Sequence, residues 1–375
     1  AGAARVTDVR YGITASQEYD RNRILVDGRM TVEWEGISTY GDHDDIRIGK
    51  SGAITTTGSV ADCIITSGNN VHIVNSGHLT SPFRNSSGIL AQGQDYTIEN
   101  RGTIEAYVGI FGPRSGTIVN AEGGRIEASS VIFRSSSDGA GLTFLNHGLA
   151  KAGPEAVAVS GGPGTERVIN DGRMIGDVLL AAGDDMFDAR HGTFMGILQG
   201  GLDDDTLITD DADITLTELA GEGADTVKST VTYTLTANVE NLFLLGPRNL
   251  KGFGEEGNNQ LHGNGGDNVL RGLAGNDKLF GGRGDDQLFG GADGDFFEFA
   301  TGWDHDRIAD FEQGLDLIDV SRWKGINDFT EIFQHAHDGK AGVVITLGHD
   351  SLTIEGVSRA ERVTAISYFE GKYSN

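Results

Sequence analysis

Short runs of alternating apolar and polar residues recur along the first half of the chain, Val71-His72-Ile73 among them. A period of two sends successive side chains to opposite faces, so such runs predict strands with one face buried. The runs sit inside a repeated phrase. "IVNSGHL", "IENRGTI", "IVNAEGGRI", "FLNHGLA" and "VINDGRM" share an outline of apolar residue, Asn, Gly and apolar residue. With "VDGRM" before them and "RHGTF" after, their glycines fall at 28, 52, 77, 102, 124, 148, 172 and 192. Near-constant spacing over eight units predicts a solenoid, one coil per repeat, over a β-sandwich with irregular strand spacing. Asn75, Asn100, Asn146 and Asn170 are expected to stack as an amide ladder that satisfies the turn backbone.

Beyond residue 250 the period shortens to nine. "GLAGNDKLF" (272–280) and "GGRGDDQLF" (281–289) are full repeats, flanked by "GEEGNNQLH" (254–262), "GNGGDNVLR" (263–271) and "GGADGDFFE" (290–298). The sixth place reads Asn259, Asn268, Asp277, Asp286, Asp295, and the eighth Leu261, Leu270, Leu279, Leu288, Phe297. This is the pattern of a calcium-binding nonapeptide β-helix repeat. Glycines permit positive φ in a tight turn, the eighth residue points inward, and Asp oxygens with turn carbonyls suit Ca²⁺ as hard ligands.

A related signature lies upstream at a wider interval. "AAGDDMF", "GGLDDDTLI" and "AGEGADTV" place Asp185, Asp205 and Asp225 twenty residues apart, each followed two residues later by Phe187, Leu207 or Val227. One acidic corner per coil predicts further Ca²⁺ ligands there. Asp203 and Asp293 stand where the pattern prefers Gly, so those two turns are expected to be distorted.

Composition narrows the functions available. The chain has 375 residues, with 55 Asp and Glu against 29 Lys and Arg, a formal charge of -26. That field repels nucleic acid and anionic membranes and attracts cations. The 57 glycines show no three-residue period and only 5 prolines accompany them, which excludes collagen. The lone Cys63 cannot pair internally, and no apolar run is long enough to span a bilayer. The first residues, "AGAARVTDVRYG", lack the apolar centre of a signal peptide.

After Phe297 the repeats stop. "WDHDRIADFEQGLDLIDVSRW" carries a turn at Gln313-Gly314 between two strand-like runs. "NDFTEIFQHA" reads as a short helix with Asn327 as N-cap, "GVVITLGHDSLTIEGV" as a hairpin and "SRAERVTAISYF" as a terminal helix. This segment is expected to cap the open end of the solenoid. His335 and His337, two apart on the expected helix, would face different ways and not share a metal.

The nonapeptides resemble those of the repeats-in-toxin (RTX) proteins, and "DRIADFEQGLDLIDVS" resembles the C-terminal region of serralysin-type proteases. "TYTLTANVENLFLLG" (232–246) is similar to the segment that often leads into such repeats. The resemblance covers roughly residues 180–375. It implies a parallel β-roll with Ca²⁺ between loops, and export by a type I apparatus that reads an uncleaved C-terminal signal. It implies ion binding at Asp277, Asp286 and Asp295, with weaker or backbone-borne sites at Asn259 and Asn268. Asp310, Asp316 and Asp319 match acidic positions of the family's C-terminal region.

The expected fold is therefore all-β, a right-handed parallel β-helix continuing into a calcium-binding β-roll with a small mixed cap. Its expected parts are an N-terminal cap (1–20), β-helix coils (21–179), wider calcium-binding coils and connector (180–253), nonapeptides (254–298) and a C-terminal cap with secretion signal (299–375). No His is followed by Glu, so a serralysin-type protease centre is absent. Long apolar helices for pore formation and a phased threonine ladder for ice binding are missing too. Two functions stay open. The first is a secreted, non-catalytic adhesion, matrix or surface-layer component that contacts polysaccharide or cell-surface glycan. The second is a polysaccharide lyase or uronate C-5-epimerase. "YGDHDD" gathers Tyr40, Asp42 and His43 near Lys50, although a solvated acidic loop explains that stretch better, and the first function is the preferred one.

Overall fold

In the computed structural model, residues 12–15, 20–135, 141–154, 156–325, 329–358 and 366–367 are described. The chain divides into two compact units, Ala1–Ile208 and Thr209–Asn375.

The first unit is a parallel β-solenoid with three strand ladders. One ladder includes Asp45–Ile48, His72–Asn75, Tyr96–Asn100, Gly116–Asn120 and Leu142–Asn146. A second includes Ala53–Thr56, His78–Ser81 and Leu149–Ala152, and a third Ile37–Thr39, Ile64–Thr66 and Ser87–Ala91. In two coils the second and third ladders share one long bent strand, Thr103–Phe111 and Arg125–Arg134.

Strict register makes the core a set of columns. Ile46, Ile73, Ile98, Ile118 and Phe144 are successive partners, all fully buried. Ile54, Leu79, Ile104 and Ile126 form a second column, and Ile64, Ile89, Ile110 and Phe133 a third. Each such side chain contributes about 1.5–3 kcal/mol by leaving water, and β-branched residues pack well on a pleated surface. Cys63 is buried in this interior, as expected of a core residue.

The amide ladder is present and one rung longer than expected. Asn75 Nδ2 donates to Asn100 Oδ1 at 2.8 Å, Asn100 to Asn120 at 2.8 Å, Asn120 to Asn146 at 2.7 Å and Asn146 to Asn170 at 2.7 Å. Each interior amide donates to one neighbour and accepts from the other, Asn75 Oδ1 accepts from Gly77 N and Asn170 Nδ2 donates to Thr193 O, so a fully buried polar column stays satisfied.

The second unit has two strands per turn. Its columns alternate between sheets: Leu242, Leu261, Leu279, Phe297 and Ile318 in one, Leu270, Leu288, Ile308 and Ile354 in the other. The eighth residue of each nonapeptide thus enters the core from opposite walls in turn, and one coil takes two repeats.

The C-terminal segment matches expectation in part. Gly314 has φ 92, Phe329–Gln334 is helical, and Gly342–Leu347 pairs antiparallel with Asp350–Glu355. Asn327 lies outside the described residues. His337 belongs to the strand Ala336–Asp338 rather than the helix. In the expected terminal helix, Ile366–Ser367 is instead a strand paired with Ile318 and Asp319, and its other residues beyond Ser358 lie outside the described set. A free sheet edge there recruits backbone hydrogen bonds that outweigh local helix propensity. Most of the expected N-terminal cap also lies outside the described residues.

Candidate metal centres

The last three nonapeptide turns in the second unit are set by their second and fourth places, which take positive φ, whereas Glu255, Gly257, Asn264 and Gly266 in the first two do not. The pairs are Leu273 (92) and Gly275 (105), Gly282 (102) and Gly284 (109), and Gly291 (110) and Asp293 (79). The first-place glycine has another purpose. A Cβ on Gly272, Gly281 or Gly290 would sit 2.0, 2.5 or 2.0 Å from Oδ2 of Asp277, Asp286 or Asp295. The pattern keeps that space open for the sixth-place carboxylate.

The two oxygens of each Asp have separate fates. Oδ1 accepts a backbone N–H from the ladder residue one coil earlier: Asn259 to Asp277 at 2.7 Å, Asn268 to Asp286 at 2.7 Å and Asp277 to Asp295 at 3.0 Å. Oδ2 of Asp277, Asp286 and Asp295 is buried with no hydrogen-bond partner. Native proteins rarely leave a buried acceptor unmatched, and a charged one least of all. Burial pushes Asp277 up to about 6, and Asp286 and Asp295 up to about 7. The neighbouring charges that add to this are acidic: Glu255 at Asp277; Asp267, Asp285 and Asp304 at Asp286; Asp316 and Asp310 beside Asp295. Orphaned hard oxygens in an acidic, carbonyl-rich turn fit Ca²⁺, which takes several oxygen ligands and favours the ionised carboxylates.

Asn259 and Asn268 differ. Asn259 Oδ1 accepts from Glu255 N at 2.7 Å while its Nδ2 donates to Val239 O at 3.2 Å. Asn268 Oδ1 accepts from Asn264 N at 2.7 Å, and its Nδ2 donates to Asn264 Oδ1 at 3.1 Å. These rungs are satisfied by neutral partners and carry no orphaned oxygen.

Both ladders run past the last repeat. Asp295 N donates to Asp316 Oδ1 at 2.9 Å, and Asp316 Oδ2 accepts from Glu312 N at 2.7 Å. Asp286 N donates to Asp306 Oδ1 at 3.1 Å. Asp306, which the sequence reading missed, is pushed up to about 9 by burial and by the Asp286 charge. Its signal was available: it lies twenty residues after Asp286 and two before the buried Ile308, the spacing rule of the upstream loops. Asp310 Oδ1 accepts from Gly290 N at 3.0 Å, close to the ladder. Asp319 instead accepts from Ser321 N in its own strand.

Two of the upstream loops repeat the same turn, whereas the Asp225 loop has positive φ at Gly221 alone. Ala181 and Gly183 have φ 87 and 108, and Gly201 and Asp203 have φ 114 and 76. Asp203 and Asp293 therefore do not distort their turns. They adopt the left-handed backbone that short Asp side chains tolerate, and each holds the preceding loop: Asp203 Oδ2 accepts from Gly183 N at 3.1 Å, Asp293 Oδ2 from Gly275 N at 3.4 Å. Asp185 N donates to Asp205 Oδ1 at 2.8 Å. Burial pushes Asp185 up to about 9, with Glu166, Asp205 and Asp184 adding to the effect. In the second unit Asp225 N donates to Glu240 Oε2 at 2.8 Å. Glu166 and Glu240 were also missed, because a Glu breaks the Asp pattern.

The acidic turn at 40–45 is committed to holding the corner. Asp42 Oδ1 accepts from Asn69 N at 2.7 Å, and His43 sits at φ 61 with its N–H on Asn69 O at 2.8 Å.

The family model of the RTX calcium-binding nonapeptide repeat matches residues 253–279 and 262–297. Residues 253–297 are thus RTX repeats, a calcium-binding module, carried on a β-solenoid chain. Among solved structures, the extracellular lipase LipA from Serratia marcescens is similar over 62% of this chain and 40% of its own, at 16% identity and TM-score 0.24. The chain spans well under half the length of that lipase. No curated protein matches.

Proposed function

We propose that this is an exported protein whose second unit folds on calcium outside the cell, and whose first unit is a non-catalytic surface for polysaccharide or cell-surface glycan. The observation that carries the calcium part is the trio of buried, unpartnered oxygens on Asp277, Asp286 and Asp295. In this reading Asp185, Asp205 and Asp225 are further ligands, Asp310 and Asp316 flank the last repeats, and Asn259 and Asn268 leave their carbonyl-lined turns weaker. In this reading the described residues 299–325 and 329–358 cap the roll, and export is by a type I apparatus. Export rests on the RTX repeats alone. Calcium outside cells is on the order of the millimolar affinities of extracellular modules, so an ion-dependent roll would stay unfolded until released.

The glycan reading is supported by an open groove of about 670 Å³ across successive coils of the first unit. Thr80, Glu105, Glu127, Lys151 and Ile175 line it in register, one side chain per coil. Strand spacing of about 4.8 Å offers an extended polymer a regular series of contacts, polar at Thr80, Glu105, Glu127 and Lys151 and apolar at Ile175. A lyase or epimerase is the second reading: Lys151 Nζ lies 3.9 Å from Glu127, a carboxylate and cation on the groove wall. Polymer binding on a glycan array without turnover would support the first reading. Double-bond absorbance or a changed uronate ratio on an acidic polysaccharide in calcium buffer would replace it with the second.

A further inference from the structure

Glu166 lies outside the family-matched repeats, yet the ladder of the first unit begins at it. Its loop, "GGPGTERV" (161–168), has Gly at the first, second and fourth places and buried Val168 two residues after the acid, with Glu in the place of Asp. The loop stacks directly on the next coil's turn: Ala182 N donates to Gly162 O at 3.1 Å, and a Cβ on Gly183 would meet the Gly164 backbone at 2.9 Å. Glu166 N donates to Asp185 Oδ1 at 2.5 Å.

Two acids are sealed together there. Glu166 is 0% exposed, its Oε1 accepting from Ser135 Oγ at 2.9 Å and its Oε2 from Gly162 N at 3.0 Å. Asp185 is 2% exposed, and its Oδ2 has no hydrogen-bond partner. Among the described residues no basic side chain pairs with either, and the charges nearest Asp185 are Glu166, Asp205 and Asp184. Two buried carboxylates without a countercharge are strongly unfavourable. The turn at 181–184 has the positive-φ pair seen at 273/275, 282/284 and 291/293, so its carbonyls are presented as they are in the calcium-binding repeats.

We infer that Glu166 and Asp185, with the backbone of the stacked turns 161–165 and 181–184, form a calcium site in the first unit, separate from the nonapeptide roll. The inference rests on the calcium reading of the roll and adds a site built on longer coils, with Glu as its first rung. Ser135 is a positioning residue that fixes the Glu166 carboxylate. The 161–165 turn lacks positive φ at its second and fourth places, as do the turns before Asn259 and Asn268, and Glu166 accepts its own second-place N–H as they do.

Hydrogen exchange on the full chain, with calcium and with chelator, reads the two regions separately. Residues 157–188 are expected to gain protection on adding calcium. In E166Q they should need about tenfold more calcium, as loss of a charged ligand weakens such sites. Residues 254–298 should keep the wild-type midpoint within about twofold, since Glu166 does not touch them. Calcium-independent exchange of 157–188 beside a responsive 254–298 overturns the inference and leaves the roll's function standing. Failure of 254–298 to respond defeats the roll reading itself. An E166Q midpoint equal to wild type overturns the role of Glu166. Should E166Q not fold, D185N keeps the Oδ1 acceptor and must show the same selective loss at 157–188.

Discussion

The backbone N–H of Asp286 donates to Oδ1 of Asp306 at 3.1 Å, across an interval of twenty residues and beyond the last nonapeptide. One coil's ladder residue thereby holds the next coil's carboxylate, and the pattern outlasts the repeat that defines it. Asp306 is 3% exposed and faces the Asp286 charge.

D306N should therefore act in opposite directions with and without the ion. In chelator, removing a buried like charge stabilises the second unit, by about 1–2 kcal/mol. In calcium, losing a hard anionic ligand reduces the ion-induced stabilisation. Denaturant midpoints for both proteins in both buffers measure this. A parallel shift in the two buffers would show that Asp306 takes no part in ion binding.

Calcium dependence should differ along the chain. In the roll, short strands carry one core Leu or Phe per repeat, and burial of Asp277, Asp286 and Asp295 opposes folding until an ion is bound. The coils at 70–175 have three apolar columns and a satisfied Asn ladder. Residues 254–298 are expected to lose exchange protection in chelator while 70–154 largely keep theirs. Equal protection of 254–298 in both buffers would contradict the ion-coupled roll.

Asn120 tests the amide column. Its Oδ1 accepts from Asn100 at 2.8 Å, and its Nδ2 donates to Asn146 at 2.7 Å and to Leu149 O at 3.1 Å. N120A leaves a buried donor and buried acceptors unmatched, which costs roughly 2–4 kcal/mol. The loss should be the same with calcium and with chelator. Thermal melts that show a calcium-dependent loss would mean the column is coupled to the ions.

Asp44 gives a pH signature unrelated to the ions. It is fully buried; Oδ1 accepts from Asn22 N at 2.7 Å and Asn22 Nδ2 at 3.0 Å, and Oδ2 has no hydrogen-bond partner. Burial raises its carboxyl above the ordinary 3.8, with the Asn22 hydrogen bonds opposing. The folded state then holds this proton more tightly than the unfolded one. The Asp44 contribution to stability falls as pH rises from the ordinary value through the raised one. D44N keeps the Asn22 contacts without the charge, so its stability relative to wild type should be greater at pH 7 than at pH 4. Urea midpoints that differ by the same amount at both values would refute this.

Spacing made much of this protein legible before any coordinates. The twenty-odd-residue glycine interval means coils, and the nine-residue interval with Leu in constant phase means half-turns; both follow from local geometry, which sequence carries directly. The buried carboxylates of Asp277, Asp286 and Asp295 were legible for the same reason, since first-place glycine and sixth-place Asp act within one turn. Other features depend on which residue lies one coil away. Asn120 completes the amide column because the corner "AEGG" absorbs extra chain without shifting the register of Gly116–Asn120 against Leu142–Asn146. Asp306 and Glu166 join the ladders through backbone contacts with Asp286 and Asp185, at intervals of 20 and 19 residues. Asp203 and Asp293 keep the glycine conformation because stacked neighbours offer their carboxylates a backbone N–H. Ile366–Ser367 becomes a strand because an open sheet edge lies beside it. Local pattern chose the turns, whereas contacts between coils chose which acids they bring together.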